Sequence, residues 1–385
     1  MTAPDSGSGG RPRVPAGAAP GDGPAGRSPG ESAEAVRAAM AGRTAEAVRA
    51  DEGAEATGHT ADAAVGAGAE AVRAAAEAEE AALLGLAPRA PHRTVRYGPH
   101  PSQLIDYHLP DGAPGLRVTI LHGGFWREAY DRTHLSPLAA ALAREGFAVA
   151  LAEYRRVGDG GGWPATFEDV SRIVATAWGG QDPRDGGPDG APRAGPERSG
   201  RAGGAAAESA GRPGVPAAGR DGRGRHVLLG HSAGGHLALW AASMRTAEGS
   251  AGGAGTYGAP DAPDRVVAVS PVAALGRAHE RDLSRGAVAG LLGGPGAVAE
   301  LLPLADPLLL PPPVVPVTIL HGTADPDVPL ALSREYADVM RRAGARVELR
   351  ERPGGGHYAP LTPGTDAFRE LLDALRGLPP EPSPG

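Results

Sequence analysis

From residue 91 onward, short runs that are almost entirely apolar alternate with stretches whose apolar residues recur every three or four positions. The apolar runs predict strands at residues 116–124, 147–154, 226–230, 265–272, 316–323 and 345–351. The periodic stretches predict helices at residues 135–144, 167–178, 235–244, 330–342 and 365–376, with short helical pieces across 280–302. Strands that are apolar on both faces, separated by amphipathic helices, are typical of a parallel sheet covered on both sides.

The first two predicted strands have a different pattern. Residues 94–98 (TVRYG) and 104–110 (LIDYHLP) alternate apolar and polar positions around a Pro- and His-containing turn, which indicates an antiparallel hairpin. The predicted fold class is therefore α/β, with a mostly parallel central sheet, helices on both faces and an opening antiparallel hairpin. We assign this domain to residues 91–378, followed by a Pro-rich tail at 379–385.

Two segments lack this pattern. Residues 1–90 are rich in Ala, Gly, Pro and Glu, and up to Ala82 they contain no aromatic residue, Leu or Ile, so we predict disorder or at most transient helix. The motif AEAVRA recurs there at Ala33, Ala45 and Ala69, but twelve-residue spacings rotate its valines out of a common helix face. Residues 179–224 are nearly half Gly and Pro, which predicts a disordered surface insertion.

The segment GHSAG at residues 230–234 follows a predicted strand and precedes a predicted helix. In a G-x-S-x-G turn the serine is exposed at the strand end as a nucleophile, and the flanking glycines relieve crowding. A five-residue match can also arise by chance in a Gly-rich chain. The strand and helix around it favour Ser232 as a nucleophile over a structural serine.

A serine nucleophile needs a histidine base and a carboxylate that orients the base. His357 lies in a Gly-rich loop after the predicted strand at 345–351, and Asp325 and Asp327 follow the strand at 316–323. The order serine, acid, histidine is the one found when such loops follow successive parallel strands. Spacing alone favours Asp325 but leaves Asp327 as an alternative.

The segment LHGGFW at residues 121–126 follows the first long predicted parallel strand. A loop at this position supplies backbone N–H groups to the negative charge that develops in acyl transfer. The candidate donors are the amides of Gly124, Phe125 and Ala233. Trp126 is a candidate for the substrate pocket, although it could instead pack the loop.

Together, LHGGFWREAYD, EYRRVGDGGGWPATFEDV, GHSAGGHLALW, HGTADPDVP and GGHY make residues 92–378 resemble the α/β-hydrolase superfamily of esterases and lipases. The similarity is greatest to the HGG-x-W branch of kynurenine formamidases (arylformamidases) and related carboxylesterases. The family's H-G-x-x-D-x-x-V-P segment implies that Asp325, rather than Asp327, is the acid. Residues 1–90 and 179–224 lie outside the resemblance.

Composition limits the function classes further. The chain has no cysteine, so disulfides and thiolate metal sites are excluded, and it shows no His-x-x-x-His motif or phosphate-binding loop that would indicate a metal or cofactor. A net charge of −7 gives no reason to expect nucleic-acid binding. The absence of a signal-like or long apolar segment predicts no membrane association, with the cytoplasm as the default location.

The sequence thus predicts a serine hydrolase with an acyl-enzyme on Ser232, acting on a small-molecule ester or formamide. The stretch at 273–313 is expected to cover part of the pocket and is short, which favours small acyl groups. His231 and His236 are expected to be structural, His122 to brace the oxyanion loop, and Asp169 to be a helix cap or surface charge. A peptidase and a catalytically inactive ligand-binding protein are weaker alternatives.

Overall fold

A computed structural model describes residues 61–178, 225–244 and 263–379, with side chains from residue 70 onward. Its centre is one sheet of eight strands: β1 (Arg93–Arg96), β2 (Leu104–His108), β3 (Leu116–Leu121), β4 (Phe147–Ala152), β5 (Arg225–His231), β6 (Arg265–Val269), β7 (Val317–Gly322) and β8 (Val347–Arg352). Their spatial order is β1-β2-β4-β3-β5-β6-β7-β8. The hairpin β1–β2 is antiparallel, β2 runs antiparallel to β4, and the remaining pairs are parallel. The predicted α/β architecture is confirmed.

The described helices are α1 (Ala61–Leu84), α2 (Ser136–Arg144), α3 (Ala165–Thr176), α4 (Ala233–Met244), α5 (Leu275–Glu280), α6 (Ala287–Leu291), α7 (Val298–Ala305), α8 (Leu330–Arg342) and α9 (Asp366–Arg376). Every helix predicted after residue 91 is present, with ends shifted by a few residues. The predicted short pieces between β6 and β7 are α5, α6 and α7, which have only six, five and eight residues.

Side chains on alternate positions of the strands pack into two separate cores. In β5, Val227 and Leu229 belong to one cluster and Leu228 to the other, because successive side chains of a strand point to opposite faces. The helix α9 closes one of these cores with Phe368 and Leu371, which are at most 5% exposed. Burial on both faces explains why the strands are apolar throughout.

The topology gathers four loops at one edge of the sheet. Because parallel strands end on the same side, the segments after β3, β5, β7 and β8 meet at their carboxyl ends. The chain runs outward from β3 to β4 and then crosses back to place β5 on the other side of β3. At such a reversal the ends of β3 and β5 lie side by side, so the loop that carries Gly124 and the turn of Ser232 are neighbours at this edge.

The N-terminal region differs from the prediction of disorder over residues 1–90. Residues 61–84 form α1, and the third copy of AEAVRA, beginning at Ala69, lies within it. Ala76 is 7% exposed and Leu83 is 1% exposed, and Leu83 packs in the core that contains Tyr358. For residues 61–84 the structure differs from the prediction because the apolar residues that anchor the helix begin only at Leu83, just after the segment that lacks Leu and Ile.

The predicted disordered insertion at 179–224 and the tail beyond Pro379 lie outside the described residues, as do residues 1–60. Among the helices that are described, none combines the length and apolar character needed to span a bilayer.

The docking of α1 leads to a stability prediction. Leu83→Ala is expected to lower the free energy of unfolding by about 2–4 kcal/mol, because it removes a buried side chain and leaves a cavity. Urea denaturation measures the change. Leu309→Ala is the matched control, since Leu309 is 57% exposed and should change stability by less than about 0.5 kcal/mol. Equal effects of the two substitutions would contradict the packing of α1 on the domain.

Candidate active site

Ser232 occupies the tight turn between β5 and α4. Its φ of +54° lies in the left-handed region, where a non-glycine residue is strained by about 1–3 kcal/mol. A Cβ on Gly234 would lie 2.1 Å from the carbonyl oxygen of Leu121, so only glycine allows α4 to start this close to β3. The Ser232 N–H donates to the carbonyl of Val269 at 2.9 Å. The turn is therefore fixed by both neighbouring strands, as the G-x-S-x-G pattern predicts.

The loop after β3 lies directly against this turn. A Cβ on Gly123 would be 3.0 Å from the Ser232 Cβ, which places the predicted oxyanion loop in contact with the predicted nucleophile. Gly124, Phe125 and Trp126 all have positive φ, at 112°, 49° and 58°. Three consecutive residues with positive φ turn the backbone sharply beside Ser232.

Ala233 is the first residue of α4, so its N–H has no acceptor within the helix. The amino end of a helix favours negative charge, because its free N–H groups and the helix dipole both point toward it. Ala233 directly follows Ser232 and belongs to the same turn as the predicted nucleophile. The loop that carries the other two predicted donors, Gly124 and Phe125, contacts this turn through Gly123.

A charged network behind the oxyanion loop holds this strained backbone. The Glu153 carboxylate, just after β4, lies 2.9 Å from His122 Nε2 and accepts the Arg132 N–H at 3.0 Å. Tyr154 donates its hydroxyl to the His122 carbonyl at 2.8 Å and stacks on that ring. Arg156 donates to the Tyr130 carbonyl at 2.6 Å.

The Glu153 carboxyl is buried, and burial alone would raise its pKa. The positive or polarised groups of His122, Arg156 and Arg132 outweigh that effect and lower the pKa of Glu153 to about 2. The segment EYRRVG contributes to the family resemblance and begins with Glu153, but no role was predicted for this residue. An acidic residue directly after a buried strand was the available signal.

The predicted acid and base are joined by a hydrogen bond. His357 Nδ1 lies 2.8 Å from Asp325 Oδ2, and both side chains are almost completely buried. The other carboxylate oxygen, Oδ1, accepts the N–H groups of Asp327 and Val328 at 2.9 and 2.8 Å. Of the two aspartates, Asp325 is the one hydrogen-bonded to His357, and the backbone of the turn after β7 orients its carboxylate.

The charges around this pair shift the pKa values of its two members in opposite directions. Burial opposes the charge on Asp325, but His357 and His321 beside it hold the pKa of the carboxyl well below its ordinary value. Burial likewise opposes the charge on His357, yet the carboxylates of Asp325 and Asp327 raise the pKa of the imidazole. His321 Nε2 is 3.2 Å from Asp325 Oδ2. No role was predicted for His321, because a His-Gly pair in a turn does not by itself indicate a function.

The Ser232 turn reaches the His357 loop through His231. The two imidazole rings have centroids 4.7 Å apart, and His231 Nε2 lies 3.3 Å from the His357 carbonyl oxygen. Burial and the neighbouring His357 lower the pKa of His231 well below its ordinary value, so a neutral ring packs there. This agrees with the structural role predicted for His231. Ser232 and His357 themselves are only 2% and 3% exposed.

Trp126 and Asp169 are both buried in the structure. Trp126, a candidate for the substrate pocket or for packing of the loop, packs edge-on against His236 with ring centroids 5.2 Å apart. Asp169, expected to be a cap or surface charge, is instead bound by Arg155 Nη2 at 2.7 Å and Gln103 Nε2 at 2.6 Å. The prediction for Asp169 was wrong because the sequence does not show which face of α3 meets the residues after β4.

Within the described residues, one group of acidic and histidine side chains could present ligand atoms to a metal ion. Asp325, Asp327 and His357 place one such atom each within 4.8 Å of one another. Asp325 is already engaged with His357 Nδ1 and two backbone N–H groups. Two of these three side chains, Asp325 and His357, therefore form the hydrogen-bonded acid–base pair.

Comparisons with known proteins agree with this architecture. No family model matches the chain. A curated relative, the probable isoprenylcysteine alpha-carbonyl methylesterase of Oryza sativa subsp. japonica, is 25% identical in an alignment of 320 residues that covers 74% of this chain. The aligned part spans 60% of that relative's length.

Solved structures of esterases share the fold. A truncated carbohydrate esterase from gut microbiota has a TM-score of 0.54 at 22% identity, covering 75% of this chain and 99% of its own. Esterase B from Lactobacillus rhamnosis has a TM-score of 0.54 at 18% identity, covering 81% of this chain and 95% of its own. A tributyrin phosphonate complex of esterase B gives a TM-score of 0.53 at 18% identity, with coverages of 84% and 97%. Together with the sheet topology, these likenesses confirm the predicted α/β-hydrolase fold.

The Glu153 network leads to a pH-dependent stability prediction. The folded-state pKa of Glu153, about 2, lies below its ordinary value of 4.5, so its stabilising effect is present above that value and is lost as the pH falls toward 2. Glu153→Gln should cost about 3–5 kcal/mol at pH 7, because it leaves buried cations without their partner. The cost should shrink below about pH 4.5.

Urea denaturation of both proteins between pH 7 and pH 3 measures this difference. Glu280→Gln is the control, since the Glu280 side chain is 63% exposed and its loss should change stability by less than about 0.5 kcal/mol. A Glu153→Gln cost that stays constant across the pH range would contradict the depressed pKa.

Proposed function

We propose that this chain, an α/β-hydrolase by fold, is a serine hydrolase that cleaves small carboxylic esters through an acyl-enzyme on Ser232. The observation that carries the proposal is the buried 2.8 Å contact between His357 Nδ1 and Asp325, located beside a strained Ser232 turn. The esterase names of the curated relative and of the structural neighbours support the same class.

The mechanism follows from which atoms are already engaged. Asp325 occupies His357 Nδ1, which leaves Nε2 to accept the proton of the Ser232 hydroxyl. The serine oxygen then attacks the ester carbonyl, and the new oxyanion is stabilised by the amides of Gly124, Phe125 and Ala233. The proton on Nε2 passes to the departing alcohol, whose C–O bond breaks.

Deacylation repeats these steps with water as the nucleophile. His357 Nε2 takes a proton from water, the hydroxide attacks the acyl carbonyl, and the proton returns to Ser232 as the acid leaves. Throughout, the buried Asp325 carboxylate stabilises the charged imidazolium that forms twice in each cycle.

The surroundings of Ser232 favour a small acyl group. Ser232 and His357 are nearly buried, and the segment between β6 and β7 contains three short helices, of which α7 contacts α4. Trp240 Nε1 donates to the Leu304 carbonyl at 3.0 Å, and His236 Nε2 lies 2.9 Å from the Ala305 carbonyl oxygen. We infer that this segment covers part of the pocket and limits the length of the acyl chain.

An aryl formamide, such as N-formylkynurenine, is the second candidate substrate. The motifs LHGGFW and GHSAGGHLALW that resemble the formamidase branch support it. The same Ser232, Asp325 and His357 would act on either substrate, so a panel of p-nitrophenyl esters from acetate to decanoate and N-formylkynurenine separates the two.

Ser232→Ala is expected to lower kcat for the best substrate of this panel by about 10⁴-fold or more, because the nucleophile is removed. It should also abolish covalent labelling by a fluorophosphonate. Ser243→Ala is the control, since this buried serine lies on α4 and outside the proposed machinery. Labelling that persists in Ser232→Ala would rule out Ser232 as the nucleophile, and an unlabelled, inactive wild type would favour a ligand-binding role.

The two aspartates near His357 should respond differently. Asp325→Asn is expected to reduce kcat by about 10⁴-fold, because the imidazole loses its orienting partner. Asp327→Asn should keep kcat but shift the acidic limb of kcat/KM to lower pH, because the Asp327 carboxylate raises the pKa of His357. Steady-state kinetics between pH 4 and pH 9 measure both effects. The reverse pattern would assign the acid to Asp327.

A further inference from the structure

The loop that carries His357 begins with three consecutive glycines, at positions 354–356. Glycine has the largest freedom of any residue, so a histidine on such a loop has a fixed position only if other contacts fasten the backbone. Gly354 donates its N–H to Thr323 Oγ1 at 2.9 Å, and the Ala324 N–H donates to the Gly355 carbonyl at 2.9 Å. Thr323 and Ala324 both lie in the loop after β7 that carries Asp325.

The third glycine is held from a different part of the chain. Gly356, which directly precedes His357, is buried and donates its N–H to Glu79 Oε2 at 2.9 Å. A Cβ on Gly356 would lie 2.6 Å from that oxygen and 3.2 Å from the Ala76 Cβ, so α1 is in direct contact with the loop. Leu83, one turn beyond Glu79, anchors the same face of α1 in the core with Tyr358.

We propose that Glu79 is a positioning residue for the catalytic base, which makes α1 a part of the active site. This inference rests on the proposed function of His357. The carboxylate satisfies the buried N–H beside the histidine and limits the motion of the glycine loop. Asp325 holds the ring through Nδ1, and the Glu79 contact acts at the residue directly before the histidine, where it limits the backbone that sets the direction of Nε2.

The charge of Glu79 gives a second, separable effect. Burial raises the pKa of Glu79, while the Gly356 N–H and the nearby Arg352 oppose that rise, and Asp325 and His357 also interact with the carboxyl. On the side of His357, the negative groups that raise its pKa are Asp325, Asp327 and Glu80, and the neutral His231 ring packs against it. The interaction with His357 lowers the pKa of the Glu79 carboxyl, so the same interaction favours the charged imidazole. Loss of the Glu79 charge should therefore lower the pKa of His357.

The test compares Glu79→Ala, Glu79→Gln and Glu77→Ala in the full chain, with the short-chain ester that the wild type hydrolyses best. Glu79→Gln keeps an oxygen acceptor without the charge, and Glu77 is an exposed neighbour on α1. Glu79→Ala should reduce kcat by about 10- to 100-fold with KM nearly unchanged, because a misplaced catalytic group costs rate and not ground-state binding. Glu79→Gln and Glu77→Ala should retain kcat within about twofold, which is below the effect of misplacement.

The pH profile separates the two effects. Both Glu79 variants should shift the acidic limb of kcat/KM to lower pH, whereas Glu77→Ala should not. A role of Glu79 in stability alone would change only the melting temperature, and kcat of the folded Glu79→Ala variant within twofold of the wild type would overturn the proposal.

A second measurement does not depend on turnover. The far-downfield proton resonance of the His357 Nδ1–H, assigned by its loss in Asp325→Asn, should broaden or disappear in Glu79→Ala and persist in Glu79→Gln. If the wild type hydrolyses no substrate and takes no fluorophosphonate, the proposed function fails, and this resonance still tests the positioning. An unchanged resonance in Glu79→Ala would contradict it.

Discussion

The close approach of β3 and β5 at their carboxyl ends is the constraint on which the site depends. Their parallel pairing, with Leu121 opposite Gly230, places the end of one strand beside the turn of the other. No side chain fits between the end of β3 and the first turn of α4, because a Cβ on Gly234 would lie 2.1 Å from the carbonyl oxygen of Leu121. The glycines of both loops are therefore required by packing, and the same packing brings the strained Ser232 turn against the oxyanion loop.

Two buried carboxylates hold this arrangement, and each is compensated in a different way. Glu153 is surrounded by His122 and two arginine side chains, and it braces the backbone that follows β3. Asp325 relies on two backbone N–H groups and two histidines, and it fixes the ring of His357. A buried carboxylate without such partners would cost several kcal/mol. Both carboxylates stay charged because the loops at the sheet edge fold around them.

The helix α1 extends the site beyond the domain suggested by the sequence motifs. It adds one carboxylate, Glu79, to a loop whose own residues include three glycines. Half of the residues in this helix are alanine, so its docking depends on a few contacts, chiefly the burial of Leu83 and the close fit of Ala76 on Gly356. Small side chains allow a helix to approach a backbone this closely, which explains how an Ala-rich segment can serve as a precise contact surface.

The sequence by itself determined the sheet, the helices after residue 91 and the residues offered for chemistry, because apolar periodicity and the spacing of loop motifs are local properties. It identified Ser232, Asp325 and His357 in chain order, and parallel strands were enough to predict that their loops share an edge. The tertiary structure alone decided which side chains surround them. Glu153 contacts His122 and Glu79 contacts Gly356, although the residues of each pair are far apart in the chain. The burial of Trp126 and Asp169 likewise depends on segments that meet only in the folded protein. Such contacts depend on how helix faces and loops pack in three dimensions, and one sequence carries no periodic signal for them.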